Sequence, residues 1–543
     1  MKPVIIEEGG RSGVLPIARS LRVRPVAGSS SRCEHREVSP AFAPERPIPT
    51  PSGVHASMAM GVVLALAIAG WVPHLADSLW LDETLTYWVI RDGLSETLDR
   101  ALHYQPQPAY YVFMWFWTRM AGTSEIALRL PSLISALVAC TAIARLGSLL
   151  TRDRETGLLA AVVLASSWNV YRESVDARSY MMGLALLLVM ALAIIRWTRE
   201  GRWRDAWASG LIAALLPQFH LFFVLTYPAF AVHLAMRRDE SRIGARQVGL
   251  VGLLLFAGAL LYLPVWLELQ KHGGSYSFVE RPTWRALFEV FVWGAPVVGL
   301  LAGLCLSSVF ESRVSFDSDP RGRAVGEPIE SENGMLLALW MLIPLLVLFG
   351  VSMILEMSVF LGRYLIPAIP AVCIFYAMAL GRIAWGPARV VAMIVMVAAS
   401  FVANQRPQDD FRGAAAAVDE FVAGRVSTPV LFASGLIEGA DEAWLRDPVR
   451  ARYLLAPTEY YPLAGKVEAL PRRLPGHPMA REITDPILRT ADRFAVVEWY
   501  GNGARVMQWL ARRAEAEGFR VVRRSFGGVR VAFFRFAGGG RRR

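Results

Sequence analysis

A long series of apolar segments limits the possible folds of this chain more than any other feature. Many of them approach the roughly 20 residues that a helix needs to cross a bilayer. The sequence therefore predicts an α-helical polytopic membrane protein with about eleven transmembrane helices. The candidate spans are 57–76, 131–150, 156–172, 180–197, 206–219, 220–236, 247–269, 286–306, 334–355, 364–382 and 387–403.

The composition supports a membrane protein and argues against a nucleic-acid-binding one. The 543 residues are 54% hydrophobic and only 19% charged, whereas soluble domains carry about 25% charged residues. The net charge of +11 arises mainly from arginines in short loops between apolar segments. Such arginines orient a membrane protein, so we expect no nucleic-acid partner.

The orientation depends on residues 108–120, PAYYVFMWFWTRM. Their apolar part would be roughly 20 Å long as a helix, against a hydrocarbon core of about 30 Å. If this segment does not span, the arginine-rich loops all fall on the side of the N-terminus, as the positive-inside rule requires. We therefore expect a cytoplasmic N-terminus, an interfacial helix over 108–120, and an external loop over 77–130.

Two segments flank the membrane domain, which we place at 57–403. Residues 1–56 have the composition of a disordered basic cytoplasmic tail, and the apolar segment after them has no persuasive cleavage site for a signal peptide. Residues 404–543 predict a small external α/β domain. Its expected elements are strands in TPVLFASG and RFAVVEWYG, a helix ending near Gly518, and a hairpin in FRVVRRSFGGVRVAFFRF.

The external edges of the predicted spans contain many ionisable groups, which near a bilayer usually line a water-filled cavity or a site. In chain order they are Asp82, Glu83, His103, Arg129, Arg172, Glu173, Asp176, Arg178, His220, Lys271, His272, Glu280, Arg281 and Arg363. A carboxylate there can act as a general base toward a hydroxyl or amine. Arginines can neutralise a lipid phosphate through bidentate contacts.

Each of these residues also has a purely structural interpretation. Arg129 and Arg281 can extend to lipid headgroups, and His220 can cap a tight turn. Glu173, Asp176 and Arg178 can form a local network of ion pairs, and His272 can be a solvated loop residue. Asp82 and Glu83 can cap the helix that follows them, because acidic residues favour a helix N-terminus.

Five segments in a fixed order resemble those of the polytopic GT-C glycosyltransferases, in particular the protein O-mannosyltransferases and the lipid A aminoarabinose transferases. They are LWLDET, HYQPQPAYY, GTSEIALRLPS, YRESVDARSY and GRYLIPAIP, within residues 57–403. The resemblance implies transfer of a sugar from a polyprenyl phosphate to a lipid, glycan or protein acceptor. It also implies that transfer occurs at the outer face of the plasma (inner) membrane with inversion at the anomeric carbon.

The same resemblance assigns roles to residues. Asp82 would be the general base with Glu83 as its catalytic neighbour, and Arg363, Arg178 and His103 would bind the donor phosphate. The remaining pocket residues would be Arg172, Glu173, Asp176, Tyr180, His220 and Tyr364. In the aminoarabinose branch, a carboxylate just before the Pro of the HYQPQP-like segment shares a metal with a later His, whereas this neighbourhood reads His-Tyr-Gln here. The only metal ligands that the resemblance would then leave are His103 and His220, and we expect a metal-independent enzyme without a cofactor.

A flippase or other transporter of lipid-linked sugars is the alternative from another functional class. Transporters usually place charges near the bilayer midplane and contain internal repeats. In this sequence the charges lie at one edge of the predicted spans, and neither half resembles the other. This distribution favours an enzyme.

Overall fold

The computed structural model describes residues 51–272, 281–289, 294–311, 329–355, 358–383, 386–403, 409–433, 435–472, 477–499 and 505–538. Predictions about residues 1–50, Glu280 and the side chain of His272 therefore lie outside the described residues.

The first part of the described chain is helical. Its α-helices are α1 (Pro51–Ala69), α2 (Leu81–Ile90), α3 (Leu94–His103), α4 (Pro108–Ala121), α5 (Glu125–Thr151), α6 (Arg154–Ala165), α7 (Trp168–Ser174), α8 (Tyr180–Glu200), α9 (Trp203–Phe219), α10 (Tyr227–Met236), α11 (Ala245–His272), α12 (Trp284–Glu289), α13 (Gly294–Glu311), α14 (Ser331–Ile354), α15 (Ile369–Gly381) and α16 (Gly386–Ala403). Short 3-10 helices, Leu221–Thr226 and Gly362–Ala368, lead into α10 and α15.

The prediction of a polytopic helical membrane protein is confirmed. By length and composition, six helices among the described residues can cross a membrane: Met58–Ala76, Glu125–Thr151, Tyr180–Glu200, Ala245–Lys271, Ser331–Ile354 and Gly362–Gly381. Three further predicted spans correspond to shorter apolar helices, Leu221–Met236, Gly294–Ser308 and Gly386–Val402. The predicted span 206–219 corresponds to α9, which has 17 residues.

The prediction of one continuous helix over 156–172 is wrong. Helix α6 ends at Ala165, and the separate helix α7 begins at Trp168. The backbone of Ser167 is extended, with ψ of 129°, and that of Ser166 has ψ of −5°. The hydroxyls of Ser166 and Ser167 have no hydrogen-bond partner among the described residues, so α6 ends on backbone hydrogen bonds such as the one from the Ser166 N–H to the Val162 carbonyl. The break moves Arg172 and Glu173 onto a short helix of their own.

The C-terminal part contains a five-stranded sheet with the strand order β2-β1-β3-β5-β4. Strands β2, β1 and β3 are parallel, and β5 and β4 complete the sheet as an antiparallel hairpin. The strands are β1 (Pro429–Ala433), β2 (Lys466–Ala469), β3 (Arg493–Trp499), β4 (Phe519–Phe526) and β5 (Val529–Phe536). The helices are α17 (Phe411–Val422), α18 (Glu442–Arg446), α19 (Pro448–Leu454), α20 (Ala456–Tyr460), α21 (Pro478–Thr490) and α22 (Arg505–Ala516).

The predicted strands β1, β3, β4 and β5 are confirmed, as is the helix before Gly518. Gly518 has a φ of 89° and Gly527, in the hairpin turn, has a φ of 60°, a backbone conformation that glycine adopts without steric cost. The sequence did not predict β2. This strand has four residues, and its burial pattern is mostly exposed or intermediate, so it lacks the apolar alternation that reveals a strand.

The two faces of the sheet bury their side chains in different places. Alternate residues of a strand point to opposite faces, and Leu431 packs with α21 and α22. Its neighbour Phe432 belongs to a second cluster, which also contains Leu81 and Trp88 of α2. One hydrophobic cluster thus joins the sheet to the first external loop. A polar contact adds to this junction, because the Tyr461 hydroxyl accepts a hydrogen bond from the Leu79 backbone N–H at 2.8 Å.

Candidate active site

A cavity of about 1090 Å³ lies between the helical part and the C-terminal sheet. Among the residues proposed from the sequence, those that line it are Asp82, Arg129, Arg172, Asp176, Arg178, Tyr180, His220, Arg363 and Tyr364. Glu83, Glu173 and His103 are absent from this lining. The fold thus brings to one cavity residues that are as far apart in the sequence as Asp82 and Arg363, which are 281 positions apart.

Asp82 lies in the first turn of α2, where a negative charge interacts favourably with the helix dipole. Its Oδ2 accepts a hydrogen bond from Nη1 of Arg363 at 2.7 Å, and its backbone carbonyl accepts one from Nη1 of Arg178 at 3.2 Å. The side chain of Asp82 is 17% exposed, so the carboxylate is accessible from the cavity.

Neighbouring arginines control the protonation of Asp82. Burial alone would raise the pKa of this carboxyl group, but Arg363, Arg178 and Arg172 more than offset it. They hold the pKa of Asp82 below its ordinary value, because each positive charge stabilises the carboxylate. Asp82 is therefore ionised at neutral pH.

Glu83 points away from the cavity and is fully buried. Its Oε1 accepts hydrogen bonds from Nε of Arg129 at 2.7 Å and from the Ala177 backbone N–H at 2.8 Å. Its Oε2 accepts one from the Trp80 backbone N–H at 3.1 Å, which caps α2. The capping interpretation thus describes Glu83, while Asp82, one residue earlier, faces the cavity.

Arg129 does not extend to the lipid headgroups, as one interpretation of the sequence held. Its side chain is 4% exposed and forms an ion pair with Glu83. It also donates hydrogen bonds to the backbone carbonyls of His74, Leu75, Asp77 and Ser78. Arg129 therefore fixes the chain that enters α2. Arg281, by contrast, is exposed.

The segment from Arg172 to Ser179 is attached to α2 and the first external loop. The indole Nε1–H of Trp80 donates to Oδ1 of Asp176 at 3.1 Å, and the Thr86 hydroxyl donates to the Ala177 carbonyl at 2.8 Å. The guanidinium of Arg172 lies over the Trp80 ring, 4.9 Å from its centroid. Arg172 also forms a local ion pair with Asp176, with Nε 3.9 Å from Oδ2. Arg178 instead donates to the Asp82 carbonyl, and the charges of both arginines act on the Asp82 carboxylate.

Two carboxyl groups in this segment have a raised pKa, in contrast to Asp82. Burial raises the pKa of Glu173 despite the neighbouring arginines. Burial also raises the pKa of Asp176 well above its ordinary value, and the charges of Glu83 and Glu173 add to this effect. Glu173 is 2% exposed and stands behind the cavity wall. Asp82 is thus the carboxyl of this group that combines access to the cavity with a lowered pKa.

Aromatic side chains surround the Asp82–Arg363 pair. His220 packs against Tyr180 and Tyr364, with ring centroids 4.8 and 5.5 Å away. Nδ1 of His220 accepts a hydrogen bond from the Phe222 backbone N–H at 3.4 Å, so His220 also caps the turn, as its structural interpretation held. Arg363 enters the site from the 3-10 helix Gly362–Ala368.

His103 lies outside this arrangement. Its side chain is 43% exposed, and its Nδ1 is 2.9 Å from the carbonyl oxygen of Asp99. The cavity is instead lined by the next residues, 104–107. The HYQPQP segment therefore reaches the site without its histidine. The described residues contain no group of three or more His, Cys, Asp or Glu side chains arranged to hold a metal ion.

One wall of the cavity is apolar and comes from helices that the sequence did not connect with the site. The wall adjoins Tyr364, which shares one hydrophobic cluster with Phe222 and Val359. Its side chains belong to α11, to α14 and to the two segments that precede α10 and α15: Leu221, Phe222, Val224, Leu225, Tyr262, Trp266, Leu269, Val347, Leu348, Val351, Leu355 and Val359.

The C-terminal domain forms another wall, which the sequence did not predict. The contributing residues are Asp409, Gly435, Leu436, Ile437, Glu438, Tyr453 and Trp499. The segment 435–438 follows β1, and Trp499 ends β3. Ligands of α/β sheets bind beyond the carboxyl ends of parallel strands. The residues that end or follow the predicted strands TPVLFASG and RFAVVEW could therefore have been predicted to lie at a ligand site.

Comparison with known proteins supports the resemblance inferred from the sequence. Residues 105–266 match the family described as dolichyl-phosphate-mannose-protein mannosyltransferase. The crystal structure of ArnT from Cupriavidus metallidurans in the apo state is similar, with a TM-score of 0.51, 12% identity, and coverage of 88% of this chain and 98% of that chain. The same protein bound to undecaprenyl phosphate gives a TM-score of 0.50 and 12% identity, with 90% and 99% coverage. No curated protein sequence matches the chain.

These matches confirm three predictions. The overall fold is that of a GT-C glycosyltransferase with a small C-terminal sheet domain. The resemblance to this group and the assignment as a glycosyltransferase are confirmed by the family match together with the fold. The flippase alternative is not favoured.

Proposed function

On the premise of a GT-C membrane glycosyltransferase, we propose that this chain transfers a sugar from a polyprenyl-phosphate donor to an acceptor at the outer face of the plasma membrane. The observation that carries the proposal is the Asp82–Arg363 contact at 2.7 Å. It brings a candidate base and a candidate phosphate ligand together at the border between polar groups and the apolar wall.

The apolar wall supports a lipid-linked donor. A polyprenyl chain needs a hydrophobic surface next to the site that holds its phosphate, and burial of each CH₂ group contributes about 0.8 kcal/mol. Phe222 and Val359 of this wall are close to Tyr364 in one hydrophobic cluster. The ArnT structure that contains undecaprenyl phosphate agrees with a donor of this class.

Arg363 and Arg178 are the proposed ligands of the donor phosphate. Guanidinium groups bind phosphate through two parallel hydrogen bonds, and both side chains are directed toward Asp82. In our proposal Arg363 turns from Asp82 to the phosphate when the donor binds. This exchange frees the carboxylate of Asp82 for the acceptor. The exposed His103 has no part in it.

The proposed reaction is a single displacement. Asp82 accepts the proton of an acceptor hydroxyl or amine while the acceptor atom bonds to the anomeric carbon. The bond from that carbon to the phosphate oxygen breaks on the opposite face, and its electron pair leaves with the phosphate. Inversion follows from this geometry. Glu83 contributes by fixing α2, since its carboxylate is buried against Arg129.

The same proposal includes topology and domain organisation. The N-terminal tail 1–56 would be cytoplasmic, 57–403 would be the membrane domain, and 404–543 would lie outside. The cluster that joins the C-terminal sheet to α2 supports one common side for this domain and the site.

The test uses the purified chain in proteoliposomes with radiolabelled polyprenyl-phosphate sugars, and separately measures binding of undecaprenyl phosphate. We expect transfer by the wild type, and a 10- to 100-fold weaker affinity for undecaprenyl phosphate in Arg363→Gln, since a hydrogen bond to a charged group contributes about 1.5–3 kcal/mol. Arg119→Gln is the matched control, because Arg119 is an exposed arginine of α4, in the first external loop, and does not line the cavity. An equal loss of undecaprenyl-phosphate affinity in both variants would contradict the proposal. Movement of the labelled lipid across the bilayer without transfer of its sugar would also contradict it.

A further inference from the structure

Glu438 of the C-terminal domain lines the same cavity as Asp82. It lies in the 3-10 helix Ile437–Ala440, which follows the carboxyl end of β1. Trp499, the last residue of the neighbouring parallel strand β3, lines the cavity as well. The sheet therefore presents to the cavity the edge at which α/β domains bind ligands.

The carboxyl group of Glu438 has an incomplete set of hydrogen bonds. Its Oε2 is shielded from solvent and has no hydrogen-bond partner among the described residues. An unsatisfied buried oxygen costs about 1–3 kcal/mol, so its presence in a cavity wall indicates a donor that arrives with a ligand. Burial raises the pKa of Glu438, and Asp82 is near enough to add to this effect, while Arg472 and Tyr453 oppose it.

We propose that Glu438 binds a hydroxyl group of the acceptor and that the acceptor is a carbohydrate. This inference rests on the proposed function, because it assigns the second substrate of the same reaction. The donor would lie along the apolar wall with its phosphate at Arg363 and Arg178. The acceptor would lie against the C-terminal domain, and its reactive hydroxyl would face Asp82.

The side chains around Glu438 favour a sugar. Tyr104 and Tyr453 are stacked with ring centroids 5.5 Å apart, and both line the cavity. The Gln105 amide donates a hydrogen bond to the Tyr453 hydroxyl at 3.0 Å. Aromatic faces suit the apolar face of a sugar ring, and carboxylate and amide groups suit the hydroxyls at its edge.

A polypeptide acceptor fits this wall less well. Extended peptides are commonly bound by adding a strand to an exposed sheet edge. The edge strands of this sheet are β2 and β4, and neither contributes a residue to the cavity among those described. In the cavity wall, the C-terminal domain therefore offers the acceptor side chains, and no exposed strand edge among the described residues.

The experiment measures transfer from a radiolabelled polyprenyl-phosphate sugar to a panel of octyl glycosides and to a serine- and threonine-containing peptide. We expect the wild type to use at least one octyl glycoside and not the peptide. For that glycoside, Glu438→Ala should raise KM about tenfold or more, Glu438→Gln less, and neither should change the affinity for undecaprenyl phosphate. Glu442→Gln is the matched control, a glutamate of the same domain outside the cavity.

The outcomes separate this inference from the proposed function. An unchanged glycoside KM in Glu438→Ala, or an equal loss of undecaprenyl-phosphate affinity, would overturn the role of Glu438. Transfer to the peptide alone, or to no acceptor by a wild type that binds undecaprenyl phosphate, would overturn the carbohydrate assignment. A wild type that neither transfers sugar nor binds undecaprenyl phosphate would instead contradict the proposed function.

Discussion

At the scale of single residues, the three arginines beside Asp82 determine the pH range in which the proposed base works. They lower the pKa of Asp82, and they act against burial, which would raise it. A carboxylate with a lowered pKa stays ionised, and able to accept a proton, further into the acidic range. The nearest of these charges belongs to Arg363, whose Nη1 is 2.7 Å from Oδ2.

We therefore expect the acid limb of the pH profile of kcat/KM to lie below the ordinary aspartate value of about 4. In Arg363→Gln the pKa of Asp82 should rise, and this limb should move to higher pH in addition to the loss of donor affinity. Arg119→Gln should keep the wild-type profile. An acid limb at the same pH in wild type and Arg363→Gln would show that another group controls it.

The local sequence identified Asp82 and Glu83 as a pair, and only the family resemblance singled out Asp82 as the base. Adjacent residues at a helix start point in different directions, and only the partners decide between them. Those partners, Arg129 and Ala177, lie 46 and 94 positions away. His103 shows the converse: a conspicuous residue type attracted a site assignment, but the residues of this segment that line the cavity are its neighbours 104–107.

At the scale of elements, the Glu83–Arg129 pair connects α2, α5 and the chain between Leu75 and Ser78. Glu83→Gln would leave a buried guanidinium opposite a neutral partner. Breaking a buried ion pair from one side costs about 3–5 kcal/mol, so we expect a clear loss of stability in thermal unfolding of the detergent-solubilised protein. Asp82→Asn should lose less stability, since the ion pair of Asp82 with Arg363 is partly exposed. Equal losses in both variants would contradict the structural role of Glu83.

The helices themselves were predictable because apolar segments long enough to span a bilayer have few alternatives. The break between α6 and α7 was not predicted. Apolar residues continue on both sides of Ser166 and Ser167, so hydropathy does not mark the change of backbone conformation at this pair. That break matters for function, because it releases the segment that carries Arg172 and Arg178 toward Asp82.

At the scale of the whole molecule, the cavity depends on parts that are far apart in the chain. The sequence indicated a membrane domain and a separate α/β domain, and it left the role of the second one open. Local patterns predicted most of its strands, but not that Phe432 packs in one cluster with Leu81 of α2. The contribution of Glu438 and Trp499 to the cavity follows from that packing.

The most direct test of the central proposal is sugar transfer by Asp82→Asn in proteoliposomes with a radiolabelled polyprenyl-phosphate sugar. Loss of a general base lowers rates by about 10²- to 10⁴-fold, so transfer should fall by that factor. Binding of undecaprenyl phosphate should be at least as tight as in the wild type, because the variant removes the charge that pairs with Arg363. Transfer close to the wild-type rate would contradict the assignment of Asp82 as the base.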